Sequence, residues 1–117
     1  MTDRDPDCLF CRIVAGEIPS DRVYEDSEVI GFRDIAPRAP THVLVIPRRH
    51  IPDAHALTEA DGPILAMLFA VMRKIADEAG LGNGYRVVTN VGEEAGQSVP
   101  HLHFHLLGGR TMNWPPG

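Results

Sequence analysis

The sequence predicts an α+β fold, with a five-stranded, mostly antiparallel sheet, one long helix and one short N-terminal helix. Five short β-prone runs are separated by connections of hairpin length, which is typical of antiparallel pairing. One long segment, beginning near Thr58 or Asp61 and ending at Gly80, repeats apolar residues at helical spacing. The 117 residues leave room for a single domain.

The composition is that of an ordinary globular protein and excludes some classes of function. The chain is 44% hydrophobic and 23% charged, and its formal net charge is −5. An acidic chain lacks the basic face that non-specific nucleic-acid binding requires. The longest apolar run, at 64–71, is too short to span a bilayer, and the first residues do not resemble a signal peptide. We therefore expect a cytoplasmic protein that binds neither nucleic acid nor membrane.

The first half of the chain predicts a short helix followed by a hairpin. Residues 1–6 are polar and expected to be disordered. Asp7 is the expected N-cap of a helix from Cys8 to about Ala15, which Gly16 would end. The runs RVYE and EVIGFR, with DSE between them, predict the first two strands.

The second half supplies the other three strands and the long helix. The segment DIAPRAPT contains two prolines and predicts an ordered loop. Thr58 and Asp61 have capping-box spacing at the start of the long helix, with Asp in place of the usual Glu or Gln. The loop GEEAGQS separates the last two strands. Those three strands are expected at 42–47, 85–91 and 101–107.

The stretch VPHLHFHLL is the most informative part of the chain. Because side chains alternate along a strand, Leu102, Phe104 and Leu106 are expected in the core and the histidines on the other face. A solvated histidine face or an all-histidine metal site are alternatives, although neighbours on one flat strand seldom converge on one ion. Neutral imidazole is a good nucleophile near pH 7, which favours covalent catalysis. The three histidines in question are His101, His103 and His105.

Cys8 and Cys11 lie at i and i+3 and therefore share one side of a turn. Two thiolates could contribute half of a tetrahedral metal site. A pair of reduced core cysteines is the second interpretation. A redox Cys-x-x-Cys motif is the third, because such a motif normally follows a strand.

The chain resembles the histidine triad (HIT) superfamily, and within it the Hint branch, also called protein kinase C-interacting protein-like. HLHFHLL is similar to the defining motif, and the resemblance extends to GEIPSDRVYED, FRDIAPRAPTHVLVIPRRHI, GYRVVTNVGEEAGQSVPHLHFHLLGGR and MNWPPG. It covers nearly the whole chain, from about Cys8 to Gly117. It implies a single HIT domain over residues 1–117 that forms a homodimer. The sheet would extend across both chains, and the tail at 110–117, with Trp114, would approach the partner's site.

The resemblance also implies an activity. Such proteins bind purine nucleoside monophosphates and hydrolyse phosphoramidate or acyl-phosphate bonds at the α-phosphorus. His103 would be the nucleophile, His105 would bind and polarise the phosphate, His42 would support the triad, and Ser98 would pass a proton to the leaving group. A nucleotide-sensing or protein-interaction module, or a dinucleoside polyphosphate hydrolase, are the alternatives.

The resemblance further implies a substrate pocket and a structural zinc site. Asp34 would bind the ribose. Arg33 stands where some relatives carry histidine. The zinc would be structural rather than catalytic, so His101 is assigned mainly to the metal. Apolar contacts to the base are expected from Phe10, Ile18, Phe32 and Ile35; phosphate or ribose contacts from Asn90, Gly96 and Gln97; and zinc ligands from Cys8, Cys11, His50 and His101.

Overall fold

The computed structural model describes residues 4–117, so residues 1–3 of the segment expected to be disordered lie outside the described residues. Within that segment, the Asp5 carbonyl accepts a hydrogen bond from the Cys8 amide (3.0 Å), and the Asp5 amide donates to Cys11 Sγ (3.4 Å). The helices are α1 (Leu9–Val14) and α2 (Gly62–Glu78), and the strands are β1 (Arg22–Glu25), β2 (Val29–Arg33), β3 (Thr41–Pro47), β4 (Tyr85–Val88) and β5 (Phe104–Gly108).

The five strands form one sheet in the order β1-β2-β3-β5-β4, and every neighbouring pair is antiparallel. This arrangement confirms the predicted α+β class with one long and one short helix. Strand β3 lies at the centre, and both of its faces are buried. Val43 and Val45 pack on the α2 side, whereas Leu44 and Ile46 pack on the α1 side. No helix within residues 4–117 is both long enough and apolar enough to cross a membrane.

Helix α1 begins one residue later than predicted, and its cap differs. The N-cap is Cys8, whose Sγ accepts a hydrogen bond from the Cys11 amide at 3.3 Å, so the prediction of Asp7 was wrong. The Asp7 amide instead donates to the Asp5 carboxylate. The helix end was predicted correctly, because Gly16 has φ +78°, a left-handed conformation that favours glycine.

Helix α2 begins where its polar signals predicted. The Thr58 amide donates to the Asp61 carboxylate at 2.9 Å, and a 3-10 turn at Glu59–Asp61 leads into the helix. Leu68, Met72 and Ile75 lie on the buried side of α2. They belong to the same core cluster as Leu106 of β5, so this side of α2 covers one face of the sheet. This layer leaves the opposite face of the sheet to α1.

Strand β5 begins at Phe104, so the prediction of a strand from His101 was wrong in its first three residues. The ladder with β3 ends at the pair Val45 and Phe104, although β3 itself continues to Pro47. The Leu102 amide bonds instead to the Ile51 carbonyl, which lies after β3 in the chain. Leu102, Phe104 and Leu106 do lie in the α2-side core, as predicted. His101 and His103 are buried as well, and only His105 stands in the strand itself.

Candidate active site and metal centre

The first of two candidate functional centres is a cavity of about 350 Å³ on the α1 side of the sheet. It contains both His103 and His105, whereas larger cavities of about 590 and 460 Å³ are lined by no histidine or cysteine. Its walls come from α1, the end of β2, and the loop before β5. The lining residues are Leu9, Phe10, Ile13, Phe32, Arg33, Asp34, Ile35, Leu44, Asn90, Gly96, Ser98, Val99, His103 and His105.

His103 is held in one tautomer by the backbone. Its Nδ1 lies 2.6 Å from the His101 carbonyl oxygen, and because a carbonyl can only accept, Nδ1 must carry the proton. The lone pair of the neutral ring is therefore on Nε2. The ring is 5% exposed and stands edge-on to Phe10, with 5.1 Å between centroids. An oriented imidazole with a free lone pair, at the wall of a cavity, is suited to nucleophilic attack.

His105 is held in the opposite tautomer by a relay through His42. The Arg38 amide donates to His42 Nδ1 at 3.0 Å, so neutral His42 carries its proton on Nε2. That Nε2 lies 2.9 Å from His105 Nδ1, which must accept, and 3.4 Å from an Asp34 carboxylate oxygen. His105 therefore carries its own proton on Nε2. The sequence predicted that His42 supports the triad, and the contact available for that role is its hydrogen bond to His105.

Burial keeps the relay neutral. Desolvation lowers the pKa of His42, opposed by the nearby Asp34 carboxylate. Desolvation, reinforced by the neighbouring imidazoles of His103 and His42, lowers the pKa of His105 to about 4. In their neutral forms the rings of His103 and His105, with centroids 5.2 Å apart, offer a lone pair and an N–H donor side by side.

Other residues that were predicted to bind the substrate differ in how they contribute to the cavity. Phe10 and Phe32 pack edge to face at 5.5 Å and are buried, so they also serve as core. Ile35 is fully exposed at the rim, with a relative accessibility of 102%. Ser98 and Asn90 both line the cavity wall, on the loop side.

Two predicted contact residues, Gln97 and Ile18, do not line this cavity. The Gln97 side chain bonds within its own region: Nε2 donates to the carbonyls of Pro52 (2.9 Å) and Val99 (3.0 Å), and Oε1 accepts from the Gly92 amide (2.9 Å). Gln97 therefore holds the loop, and Ile18 packs against the core around Phe10.

Some contributors were missed at the sequence level. Leu9, Ile13, Leu44 and Val99 line the cavity, and no polar signal marks them. The Thr89 hydroxyl donates to the His103 carbonyl at 2.8 Å, and its position at the end of β4 was the available clue. The Arg38 amide acts through the backbone, so no residue pattern could reveal it.

The second centre brings together Cys8, Cys11, His50 and His101, whose ligand atoms all lie within 4.8 Å of one another. His101 Nδ1 lies 3.5 Å from each Sγ and 3.3 Å from His50 Nδ1. His101 Nε2 donates to the Pro47 carbonyl at 2.8 Å, which leaves the Nδ1 lone pair facing the thiols. This Cys₂His₂ set can hold a metal ion.

Burial affects the protonation of two of the four candidate metal ligands. Burial raises the pKa of the Cys11 thiol, so a cation would be needed to stabilise its thiolate here. His101 has no accessible surface, and burial lowers its pKa to about 4, so its ring is neutral and able to act as a ligand. This placement agrees with assigning the His101 ring to the metal and not to the cavity.

Comparison with known proteins identifies the family. A model of the HIT domain matches residues 15–112. An uncharacterized HIT-like protein of Synechococcus elongatus is 48% identical over 111 residues, which span 95% of this chain and 97% of that protein. An uncharacterized HIT-like protein of a Synechocystis species is 44% identical over the same length and the same shares of the two chains.

Solved structures agree with this result. A HIT family hydrolase from Legionella pneumophila superposes with a TM-score of 0.93 at 49% identity, covering 95% of this chain and all of that one. A HIT family hydrolase from Clostridium thermocellum gives 0.90 at 44% identity, covering 93% and 96% of the two chains. The chain belongs to the HIT domain family, and its structural neighbours include proteins described as hydrolases.

Proposed function

We propose that the protein is a purine nucleoside phosphoramidase, which hydrolyses the bond between the α-phosphorus and an amine through a nucleotidyl-histidine intermediate. The observation that carries the proposal is the pair of opposite tautomers in one cavity. His103 offers an Nε2 lone pair because its Nδ1–H is bound to a carbonyl, and His105 offers an Nε2–H. Acyl-nucleotides, which are also cleaved at the α-phosphorus, are the related substrates.

The first chemical step is displacement of the amine. His103 Nε2 attacks the α-phosphorus and forms a P–N bond, while the bond to the leaving amine breaks. The His105 Nε2–H donates to a non-bridging oxygen, and this donation stabilises the charge that develops during transfer. The amine takes up a proton by way of the Ser98 hydroxyl, at the cavity wall.

The second step frees the product and regenerates the enzyme. Water attacks the phosphorus of the nucleotidyl-histidine, the bond to His103 Nε2 breaks, and nucleoside monophosphate leaves. The attacking water releases one proton to solvent, which balances the proton that the amine took up in the first step. Splitting one displacement into two lets the same imidazole serve as nucleophile and leaving group. His42 keeps its Nε2–H on His105 Nδ1 throughout, so that His105 remains a donor on its other nitrogen.

The nucleoside would occupy the apolar side of the cavity. Phe10 and Phe32 present ring faces and edges to a purine, and Ile35 at the rim would cover it when a base binds. The Asp34 carboxylate would accept hydrogen bonds from the ribose hydroxyls. Gly96 and Asn90 would contact the phosphate or the ribose.

The metal proposed for the Cys₂His₂ cluster is Zn²⁺, because two thiols and two imidazoles within 4.8 Å of one another are the donors that structural zinc prefers. Such an ion would join α1 to the residues that follow β3 and precede β5. It would stabilise the fold without contacting the substrate.

The homodimer is likewise a proposal. Strand β4 is an edge of the sheet, and Tyr85 at its start is 42% exposed. Trp114 is 82% exposed in the tail, while the Asn113 carbonyl accepts a hydrogen bond from Arg86 on β4. Light scattering after size exclusion should give twice the chain mass, and a monomer at micromolar concentration would contradict the proposal.

The catalytic proposal is tested with adenosine 5′-phosphoramidate. Wild-type protein should release AMP, and acid quench followed by intact mass should show an adenylyl adduct. His103→Ala should abolish both while retaining the fold, and His55→Ala, an exposed histidine outside the cavity, is the matched control. Adenylyl transfer that persists in His103→Ala would overturn the assignment.

The same experiment separates the alternatives. A nucleotide sensor would bind AMP without forming an adduct or product. A dinucleoside polyphosphate hydrolase would cleave diadenosine tetraphosphate faster than the phosphoramidate. Neither alternative has an observation of its own in this cavity that favours it.

A further inference from the structure

His101 takes part in both centres through different atoms. Its Nδ1 faces the thiols of Cys8 and Cys11 and the ring of His50. Its carbonyl oxygen accepts the Nδ1–H of His103 at 2.6 Å, the contact that places the lone pair of His103 on Nε2. A shift of His101 at the metal cluster therefore also shifts the group that orients the proposed nucleophile.

Helix α1 supplies a second connection between the two centres. Cys8 and Cys11 flank Phe10 along the helix. The Phe10 ring packs edge-on against His103, with centroids 5.1 Å apart, and also against His101 at 6.0 Å. Two of the four candidate metal ligands thus determine where the aromatic wall beside His103 lies.

Without an ion, these two connections depend on packing in the α1-side core and on single hydrogen bonds such as the one from His101 Nε2 to the Pro47 carbonyl. Helix α1 has six residues, far fewer than the roughly 12–15 that an isolated helix needs to be even marginally stable in water. The contacts within the cluster each involve a thiol or two imidazole nitrogens, and a thiol is a weak and adaptable hydrogen-bonding partner. Zinc–thiolate and zinc–imidazole bonds are short and directional by comparison.

We propose that metal binding at the cluster of Cys8, Cys11, His50 and His101 sets the tautomer and position of His103, with His101 as the positioning residue. Metal and nucleotide then bind cooperatively; this second part rests on the proposed function. By linkage, a nucleotide that favours the oriented His103 must raise the affinity for the metal by the same factor.

A purely structural metal would not have this effect. It would raise the stability of the fold and leave the folded, metal-free protein with the same His103 tautomer. The relay of His42 and His105 provides an internal control, because it is tied to the Arg38 amide and not to the cluster. Metal removal should leave those two rings unchanged.

The direct test is ¹⁵N NMR of the imidazoles in zinc-loaded and chelator-treated protein, without nucleotide. With zinc, His103 should show a single Nδ1–H tautomer. Without it, the His103 resonances should shift toward a mixture of tautomers, while His42 and His105 keep theirs. An unchanged His103 in folded, metal-free protein overturns the proposal.

Metal exchange keeps the test decisive if the metal-free chain unfolds. Cadmium forms longer bonds than zinc to the same four residues, so it should move His101 and its carbonyl within a folded protein. The Nδ1 proton of His103 should then resonate at a different frequency in the cadmium form. Identical His103 signals in both metal forms would refute the coupling.

The cooperative part is measured by chelator competition for zinc with and without saturating AMP. We expect AMP to raise zinc affinity about fivefold or more, at the lower end of typical coupling between sites. His103→Ala should remove the effect, and His55→Ala should retain it. AMP that binds without changing zinc affinity would overturn the cooperative part. AMP that does not bind contradicts only the proposed function, and the NMR comparison still decides the positioning role.

Discussion

Acidification should destabilise the protein through His105. Its pKa is about 4 in the folded chain, where burial disfavours the imidazolium, against 6.5 for an unperturbed histidine. Between these values the unfolded chain binds a proton that the folded chain does not. The stabilisation is therefore complete above pH 6.5 and is lost as the pH falls toward 4.

The size of the effect follows from the two pKa values. Between pH 7.5 and pH 5 the unfolded chain binds more protons at His105 than the folded chain does. Integrated over this range, that difference lowers the free energy of unfolding by about 2 kcal/mol. His42, whose pKa is also lowered by burial, acts in the same direction. Loss of metal from the thiols on acidification adds a separate contribution, which has to be removed by a matched comparison.

The assay compares wild type with His105→Gln by urea unfolding, followed by far-UV circular dichroism at pH 7.5, 6.5, 5.5 and 5.0. Both proteins keep the metal cluster, so its pH dependence cancels in the difference. Wild type should lose about 2 kcal/mol more than the variant over this range. Parallel loss in the two proteins would show that His105 is not held neutral by the fold.

Four further outcomes are expected. Leu106→Ala should lower the free energy of unfolding by about 2–5 kcal/mol in urea titrations, because Leu106 is fully buried under α2. Cys11→Ala should lower the zinc content per chain, measured by plasma emission, and the melting temperature together. Ser98→Ala should reduce kcat for phosphoramidate hydrolysis more than it changes the Kd for AMP. His42→Ala should reduce kcat without changing the zinc content, because it frees His105 to adopt either tautomer.

The periodic parts of the fold were predictable from local pattern. The β-branched run at β3 and the apolar spacing of α2 determine their elements because burial of those faces is the main driving force for both. The Thr58–Asp61 signal placed the start of α2 correctly, since it satisfies backbone groups within four residues. These features need no knowledge of distant contacts.

The strand boundary at β5 was not predictable in the same way. Alternation of histidine and apolar residues continues back to His101, but the ladder stops at the pair Val45 and Phe104, and the Leu102 amide bonds to the Ile51 carbonyl instead of to β3. Whether an alternating segment pairs is decided by its neighbour in space. The cap of α1 is similar, because a cysteine thiol held in a buried cluster took the place of a commoner capping residue.

The sequence by itself determined the candidates for catalysis and metal binding: the histidines of the triad, His42, and the two cysteines with their candidate partners. Only the tertiary structure decided what each can do. The tautomers of His103 and His105 depend on single hydrogen bonds to the His101 carbonyl and to His42, and the neutrality of His105 depends on its burial. Proton location and solvent exclusion arise from atoms that are distant in the chain, so local residue patterns do not encode them.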